Sequence, residues 1–361
     1  MNNIFIIIGT KAQMIKMAPI MKSLQDRGIY YTYVITWQHK ETMDKIEENF
    51  GIKKPDVVLY SWKDITWLAQ MFFRVIRILW KTLFNRKQIF WNSKEWIVLV
   101  HWDTFSTLLW ALMWKLSGHK VAHIESWLRS FNIFHPFPEE ITRLITFRLS
   151  DYYFCPWNWA LNNLRKYKWK KINTEYNTLY DALHLAIKNE KNVMVDMPDE
   201  KYCIFSTHRF ENIFKKDQFE FILKHLNKIS EKIKVLFILH PPTRKKLLEF
   251  WFMNQLEKNK NIEIRPRYDY FEFNKLLHHA EFCVTDGGSN QEECFYMGKP
   301  CLLMRKATER QEWIWENVII SEYKDKIIND FILNYNNYKK DLIINKESPT
   351  DMIIDFITKK I

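Results

Sequence analysis

Glycine is scarce in this chain, with only 7 residues in 361. Ordinary proteins carry about 7% glycine and place much of it where the backbone must turn sharply. The chain is therefore short of its usual turn residue. The five cysteines, Cys155, Cys203, Cys283, Cys294 and Cys301, contain no Cys-x-x-Cys spacing, which excludes a zinc ribbon and a thioredoxin-type redox pair. Their odd number and irregular spacing speak against a disulfide framework. Those in apolar strand-like runs read as reduced core residues, the pattern of a cytoplasmic protein. No signal peptide is expected, because the first residues already read as a strand. No long run is both apolar and uncharged. The most apolar one, TWLAQMFFRVIRILWKTLF (66–84), is broken by Arg74, Arg77 and Lys81 and reads as an amphipathic helix, so membrane contact is not expected. Zinc-finger spacing and an RNP-type aromatic–basic pattern are also missing. The formal charge of +12 is read as scattered surface lysines, not as a nucleic-acid face.

What is present is a globular balance, 47% hydrophobic and 27% charged, in a chain long enough for two cores. Apolar runs alternate with amphipathic ones: NIFIIIG, then IKMAPIMKSLQDRG closed by Gly28, YYTYVIT, WIVLVH, KVAHIES and DYYFCP. This order predicts a parallel sheet with helices on both faces. The polar stretch NEKNVMVDMPDE (189–200) reads as a linker, after which the alternation restarts with YCIFST, KVLFILHP, NIEIRP, AEFCVTDGG and KPCLLMR. The expected organisation is a first Rossmann-like domain over 1–188, a linker over 189–200, and a second Rossmann-like, nucleotide-binding domain over 201–344. A C-terminal helix, 345–361, would pack back on the first domain. In doubly wound folds ligands bind at the C-terminal ends of the strands, which here would face a cleft between the domains.

Four strand ends are rich in polar residues. GTKAQMIK offers Gly9 for a tight turn, a helix N-terminus for phosphate, and the charges of Lys11 and Lys16; it is neither a GxGxxG nor a Walker A sequence. VHWDT places Asp103 just past a strand, where it reads either as an acid/base group or as a helix cap. HIESWLRSFNIFHPFPEEITR supplies Glu125, Arg129, Glu139 and Glu140, the last two reading equally well as first-turn helix acids. STHRFEN carries His208, and TDGGSNQEE is a glycine-rich turn feeding a helix whose Gly288 and Ser289 suit a pyrophosphate, with Glu293 one turn in. Several carboxylates at strand ends of one sheet suit paired acid/base chemistry.

Taken in order, these stretches resemble the bacterial non-hydrolysing UDP-N-acetylglucosamine 2-epimerases over nearly the whole chain. GTKAQMIKMAP stands for the family's GTRPEAIKMAP, TWQH for TGQH, HWDT for HGDT, ESWLR for EAGLR, and GGSNQEE for SGGxQEE. PFPEE, HRFEN, GKP and TERQE fit the family directly. The resemblance implies two Rossmann-like domains of the glycosyltransferase-B type and interconversion of UDP-GlcNAc and UDP-ManNAc. The route is elimination of UDP to a 2-acetamidoglucal and re-addition, with neither metal nor cofactor, in a homodimer feeding surface-polysaccharide synthesis. It also implies residue roles: Asp103, Glu125 and Glu139 as the acid/base set, His208 as a catalytic group near the diphosphate, Lys16 and Arg310 as phosphate contacts, and Glu293 at the ribose. Lys11 replaces an Arg, and Ala12–Gln13 replace Pro–Glu. The same scaffold also supports a hydrolysing epimerase, a glycosyltransferase, or a nucleotide-sugar binder without turnover.

The excess residue is tryptophan, with 16 copies. Trp37, Trp102, Trp127 and Trp313 occupy glycine positions of the family pattern. Trp62, Trp91, Trp96, Trp110, Trp114, Trp157, Trp169 and Trp315 fall at turns or small-residue positions, whereas Trp159 reads as a genuine tryptophan. Together Trp and Gly reach roughly the usual glycine share of about 7%. The expectation is that most of these positions are glycine in the cell, in an AT-rich gene that uses UGA as a glycine codon. The alternative is a tryptophan-lined sugar-binding surface.

Overall fold

Strands buried on both faces of a parallel sheet read as unbroken apolar runs, and such runs build both sheets here. The computed structural model describes residues 4–35, 40–58, 96–102, 104–127, 129, 139–308, 314, 316–345 and 347–360. The expected helix over 66–84 lies outside them. No described helix is long and apolar enough to cross a membrane.

The chain divides into two units, one of residues 1–182 with 346–361, the other of residues 183–345. The first unit runs β1 (Ile4–Ile8), α1 (Lys11–Asp26), β2 (Tyr31–Ile35), α2 (Lys40–Phe50), β3 (Val57–Val58), β4 (Ile97–His101), α3 (Phe105–Leu116), β5 (Lys120–Ile124), α4 (Glu139–Leu149), β6 (Tyr152–Cys155), α5 (Asn158–Asn163), β7 (Lys170–Asn173) and the start of α6 (Leu179–Lys188). Its sheet is parallel in the order β3-β2-β1-β4-β5-β6-β7. The order reverses between β1 and β4, which pair from Ile4 opposite Ile97. Phe5, Val98, Trp110 and Trp114 pack on one face of this sheet.

The second unit runs β8 (Tyr202–Ser206), α7 (Phe210–Ile213), α8 (Lys216–Ser230), β9 (Lys234–Ile238), α9 (Pro241–Glu249), α10 (Met253–Glu257), β10 (Ile262–Arg265), α11 (Tyr270–His279), β11 (Cys283–Thr285), α12 (Gly288–Met297), β12 (Cys301–Leu303), β13 (Val318–Ile320) and α13 (Asp325–Asn334). The parallel order is β10-β9-β8-β11-β12-β13, with the reversal between β8 and β11. All five cysteines are buried and free.

The division falls at 182/183, within α6, and the stretch 189–200 belongs to the second unit. Lys275 Nζ donates to the Val193 carbonyl at 2.8 Å, Arg265 to the Asp196 carbonyl at 2.7 Å, and His278 Nδ1 lies 2.9 Å from Glu190. The C-terminal helix, α14 (Pro349–Thr358), belongs to the first unit. Arg27, just beyond α1, bridges its Asp351 and Asp355, and Asp181 accepts from the Thr350 backbone N–H at 2.8 Å.

Candidate active site

The reversal point of a doubly wound sheet is where loops diverge and leave a crevice at the strand ends. In the first unit this point holds Lys16, on α1 after β1, His101 at the end of β4, and Glu125 just past β5. Lys16 Nζ lies 2.8 Å from Glu125 Oε2, with side chains only 4% and 1% exposed. His101 Nε2 lies 3.5 Å from the other carboxylate oxygen. Burial alone would push the Glu125 carboxyl up, but Lys16 and His101 reverse this and hold it below the usual carboxylate range. Glu125 also takes a positive φ of 57°, an uncommon conformation for a non-glycine residue and one concentrated at functional sites.

Two further groups fix this corner. His123 is fully buried; burial pushes its imidazole down to about 4, and Nε2 donates to the Trp102 carbonyl at 2.7 Å. Gln13, named from sequence only as a departure, is 1% exposed and ties three elements together. Its Oε1 accepts from the Gly9 backbone N–H at 2.9 Å, and its Nε2 reaches the His101 carbonyl at 2.7 Å and Thr104 Oγ1 at 3.0 Å. The cap of α3 is Thr104, whose hydroxyl accepts from the Thr107 N–H. Asp103 lies outside the described residues. Lys11 is the first residue of α1 and half-buried.

The Glu139–Glu140 pair separates by partner. Glu140, fully buried, accepts from Arg129 at 2.5 Å and Arg143 at 3.2 Å. Glu139, the first residue of α4, keeps Oε2 buried without a hydrogen-bond partner among the described residues. A carboxylate in that state has acid/base capacity to spare.

In the second unit the reversal point is organised by Asp286, which sequence reasoning passed over. Its fully buried carboxylate accepts from Thr207 Oγ1 at 2.6 Å, from the Arg209 backbone N–H at 3.0 Å and from Asn212 Nδ2 at 2.8 Å. It also accepts from the His208 backbone N–H, and His208 Nδ1 lies 3.2 Å away. The His208 ring stacks on His240 with centroids 4.3 Å apart. Burial pulls the His208 imidazole below its ordinary range, opposed by Asp286 and assisted by Arg209 and Arg267, so it is neutral near pH 7. Gly287 sits close to its neighbours: a Cβ there would meet Asn290 Oδ1 at 2.8 Å and His208 Cε1 at 3.3 Å, so the Asn290 side chain would have to shift. Gly288 opens α12 and Ser289 is exposed on its first turn. Their positions leave a ten-residue helix presenting its N-terminus beside His208. Buried Glu293 accepts from Asn290 Nδ2 at 3.0 Å. Arg310 lies outside the described residues.

Two parallel, doubly wound Rossmann-like units define the glycosyltransferase-B class of fold. A profile of UDP-N-acetylglucosamine 2-epimerases matches residues 22–345. A UDP-N-acetylglucosamine 2-epimerase of Methanococcus maripaludis is 36% identical over 91% of this chain and 90% of that protein. The crystal structure of the Neisseria meningitidis UDP-GlcNAc 2-epimerase bound to UDP-GlcNAc aligns with a TM-score of 0.82 at 28% identity, over 99% of each chain. That of the Methanocaldococcus jannaschii UDP-GlcNAc 2-epimerase aligns at 0.77 with 30% identity, again over 99% of each chain. The chain belongs to the UDP-N-acetylglucosamine 2-epimerase family. Its relatives are archaeal as well as bacterial.

Proposed function

We propose that this protein is a non-hydrolysing UDP-N-acetylglucosamine 2-epimerase, interconverting UDP-GlcNAc and UDP-ManNAc. A carboxylate takes the proton from C2. The C–H electrons form the C1=C2 bond of a 2-acetamidoglucal as the C1–O bond breaks and UDP leaves with its electron pair. UDP then adds back to C1 while a carboxylic acid returns a proton to the opposite face of C2. The buried Lys16–Glu125 pair carries the reading, because it supplies a carboxylate held in its ionised, basic form at a strand end. Asp103 and Glu139 complete the acid/base set. In the second unit the N-terminus of α12, with Gly288 and Ser289, takes the diphosphate beside neutral His208 and Glu293 takes the ribose hydroxyls. Lys11, Lys16 and Arg310 complement the phosphate charge. The enzyme works as a cytoplasmic homodimer, without cofactor, and its product feeds surface-polysaccharide synthesis.

A second reading, a nucleotide-sugar binder without turnover, is favoured by one contact. Lys16 Nζ sits 5.6 Å from the centroid of the Trp102 indole, a cation–π distance, so a tryptophan there lies over the ammonium that holds Glu125. Proton NMR of UDP-GlcNAc with the enzyme in deuterated water separates the readings. UDP-ManNAc carrying deuterium at C2 supports epimerisation, free ManNAc with UDP indicates hydrolysis, and no exchange indicates the binder.

A further inference from the structure

Helix ends give the glycine shortage a conformational test. Among the described residues, the glycines with positive φ are Gly28, Gly51, Gly118 and Gly298, and each follows a helix. All four share one hydrogen-bond pattern. The glycine N–H bonds three residues back, as Gly28 does to the Gln25 carbonyl, and the next N–H bonds five back, as Ile29 does to Leu24. This is the Schellman ending, which needs a left-handed residue and is usually closed by glycine. Beyond α9 a fifth ending has the same two bonds, Trp251 N–H to the Leu248 carbonyl and Phe252 N–H to Leu247. Trp251 closes it at φ 66°, within the glycine range, and is 82% exposed. No packing offsets the strain of a bulky residue there.

Two more tryptophans sit in glycine conformations. Trp157, ahead of α5, has φ 66° and ψ 156°, a region that only glycine normally enters. Trp102, at the end of β4, has φ 63°. Among the described residues, tryptophan holds three of the seven positive-φ positions occupied by residues other than glycine. Trp110 and Trp114 differ: they lie inside α3, not at turns, and their helical backbone does not ask for glycine. Trp37, Trp62, Trp91, Trp313 and Trp315 lie outside the described residues.

We propose that the natural protein carries glycine at positions 102, 157 and 251, its gene spelling them UGA, a codon that different genetic codes read as glycine, tryptophan or stop. The conformation of position 251 carries this without any appeal to the activity, since no proposed site residue lies in α9. The glycine at 102 also frees the space over Lys16.

Codons and stability test the proposal, and neither depends on the epimerase reading. The gene is expected to show UGA at 102, 157 and 251, and UGG at 159, where Trp159 lies inside α5. UGG at the three positions overturns it. In the full chain, Trp251→Gly is expected to raise the Tm by about 2–4 °C and Trp251→Ala to raise it less. Trp159→Gly, a helix-interior control, is expected to lower it. A Trp251→Gly protein that melts lower than the parent contradicts the conformational basis of the proposal.

Discussion

Lys16 Nζ stands 2.8 Å from Glu125 Oε2, an ion pair sealed from solvent and formed between the segments that follow β1 and β5. Removing one member of such a pair strands a buried charge, at a cost of about 3–5 kcal/mol. Lys16→Met and Glu125→Gln are each expected to destabilise by that order. The double variant should recover most of the loss, because no charge is left alone. Urea denaturation of the three proteins checks this. C2 exchange should fall by about 10²–10⁴-fold wherever Glu125 is lost, including in the refolded double variant.

The adjacent carboxylates of α4 are expected to fail in different ways. Glu139→Gln should lower kcat by about 10²–10⁴-fold with little change in Tm, because Oε2 has no hydrogen-bond partner among the described residues. Glu140→Gln breaks the hydrogen bonds from Arg129 and Arg143, and its main effect should be on stability, a loss of about 3 kcal/mol. A Tm series alongside kinetics checks both; equal thermal losses would contradict the division of roles.

In the second unit, Asp286→Ala leaves Thr207, Asn212 and two backbone N–H groups without their acceptor. Buried donors left unpaired cost about 1–3 kcal/mol each, so the unit is expected to unfold at markedly lower denaturant. His208→Asn, which keeps the backbone bonds, should fold normally and lose turnover. Calorimetry and UDP-binding titration distinguish the two.

Acid should weaken the fold through His123. Unfolded, this histidine takes up a proton near pH 6.5; folded, it resists down to about 4. The unfolded state therefore binds more protons between those values, and stability falls as pH falls through that window, by about 3 kcal/mol at most. Glu125 acts in the same direction lower down, its contribution present above its unfolded value and lost as pH falls through its depressed folded one. Tm measured from pH 7 to pH 4 should slope less in His123→Gln, which keeps a donor for the Trp102 carbonyl.

Much of the fold was legible because buried parallel strands such as IFIII and IVLVH are continuous apolar runs. The elements that escaped notice are β3 and β13, which are two and three residues long, and β7, whose sequence KKIN is polar because it forms the sheet edge. Glu125, Glu139 and His208 were legible as candidates only, from their place at strand and helix ends, and their roles are proposed. The partner of Glu125 was not, since 109 residues separate it from Lys16. Asp286 escaped because its partners, two backbone N–H groups and the side chains of Thr207 and Asn212, lie more than 70 residues away in sequence. Gln13 stood out only as a departure from the family pattern, and its value lies in bonding the ends of β1 and β4 at once.

The most direct measurement follows UDP-GlcNAc by proton NMR in deuterated water, using the chain with Trp102→Gly, Trp127→Gly and Trp157→Gly. The account predicts UDP-ManNAc labelled at C2, with no free ManNAc, and loss of this signal in Glu125→Gln. Intact, unlabelled UDP-GlcNAc, or release of free ManNAc and UDP, would contradict it.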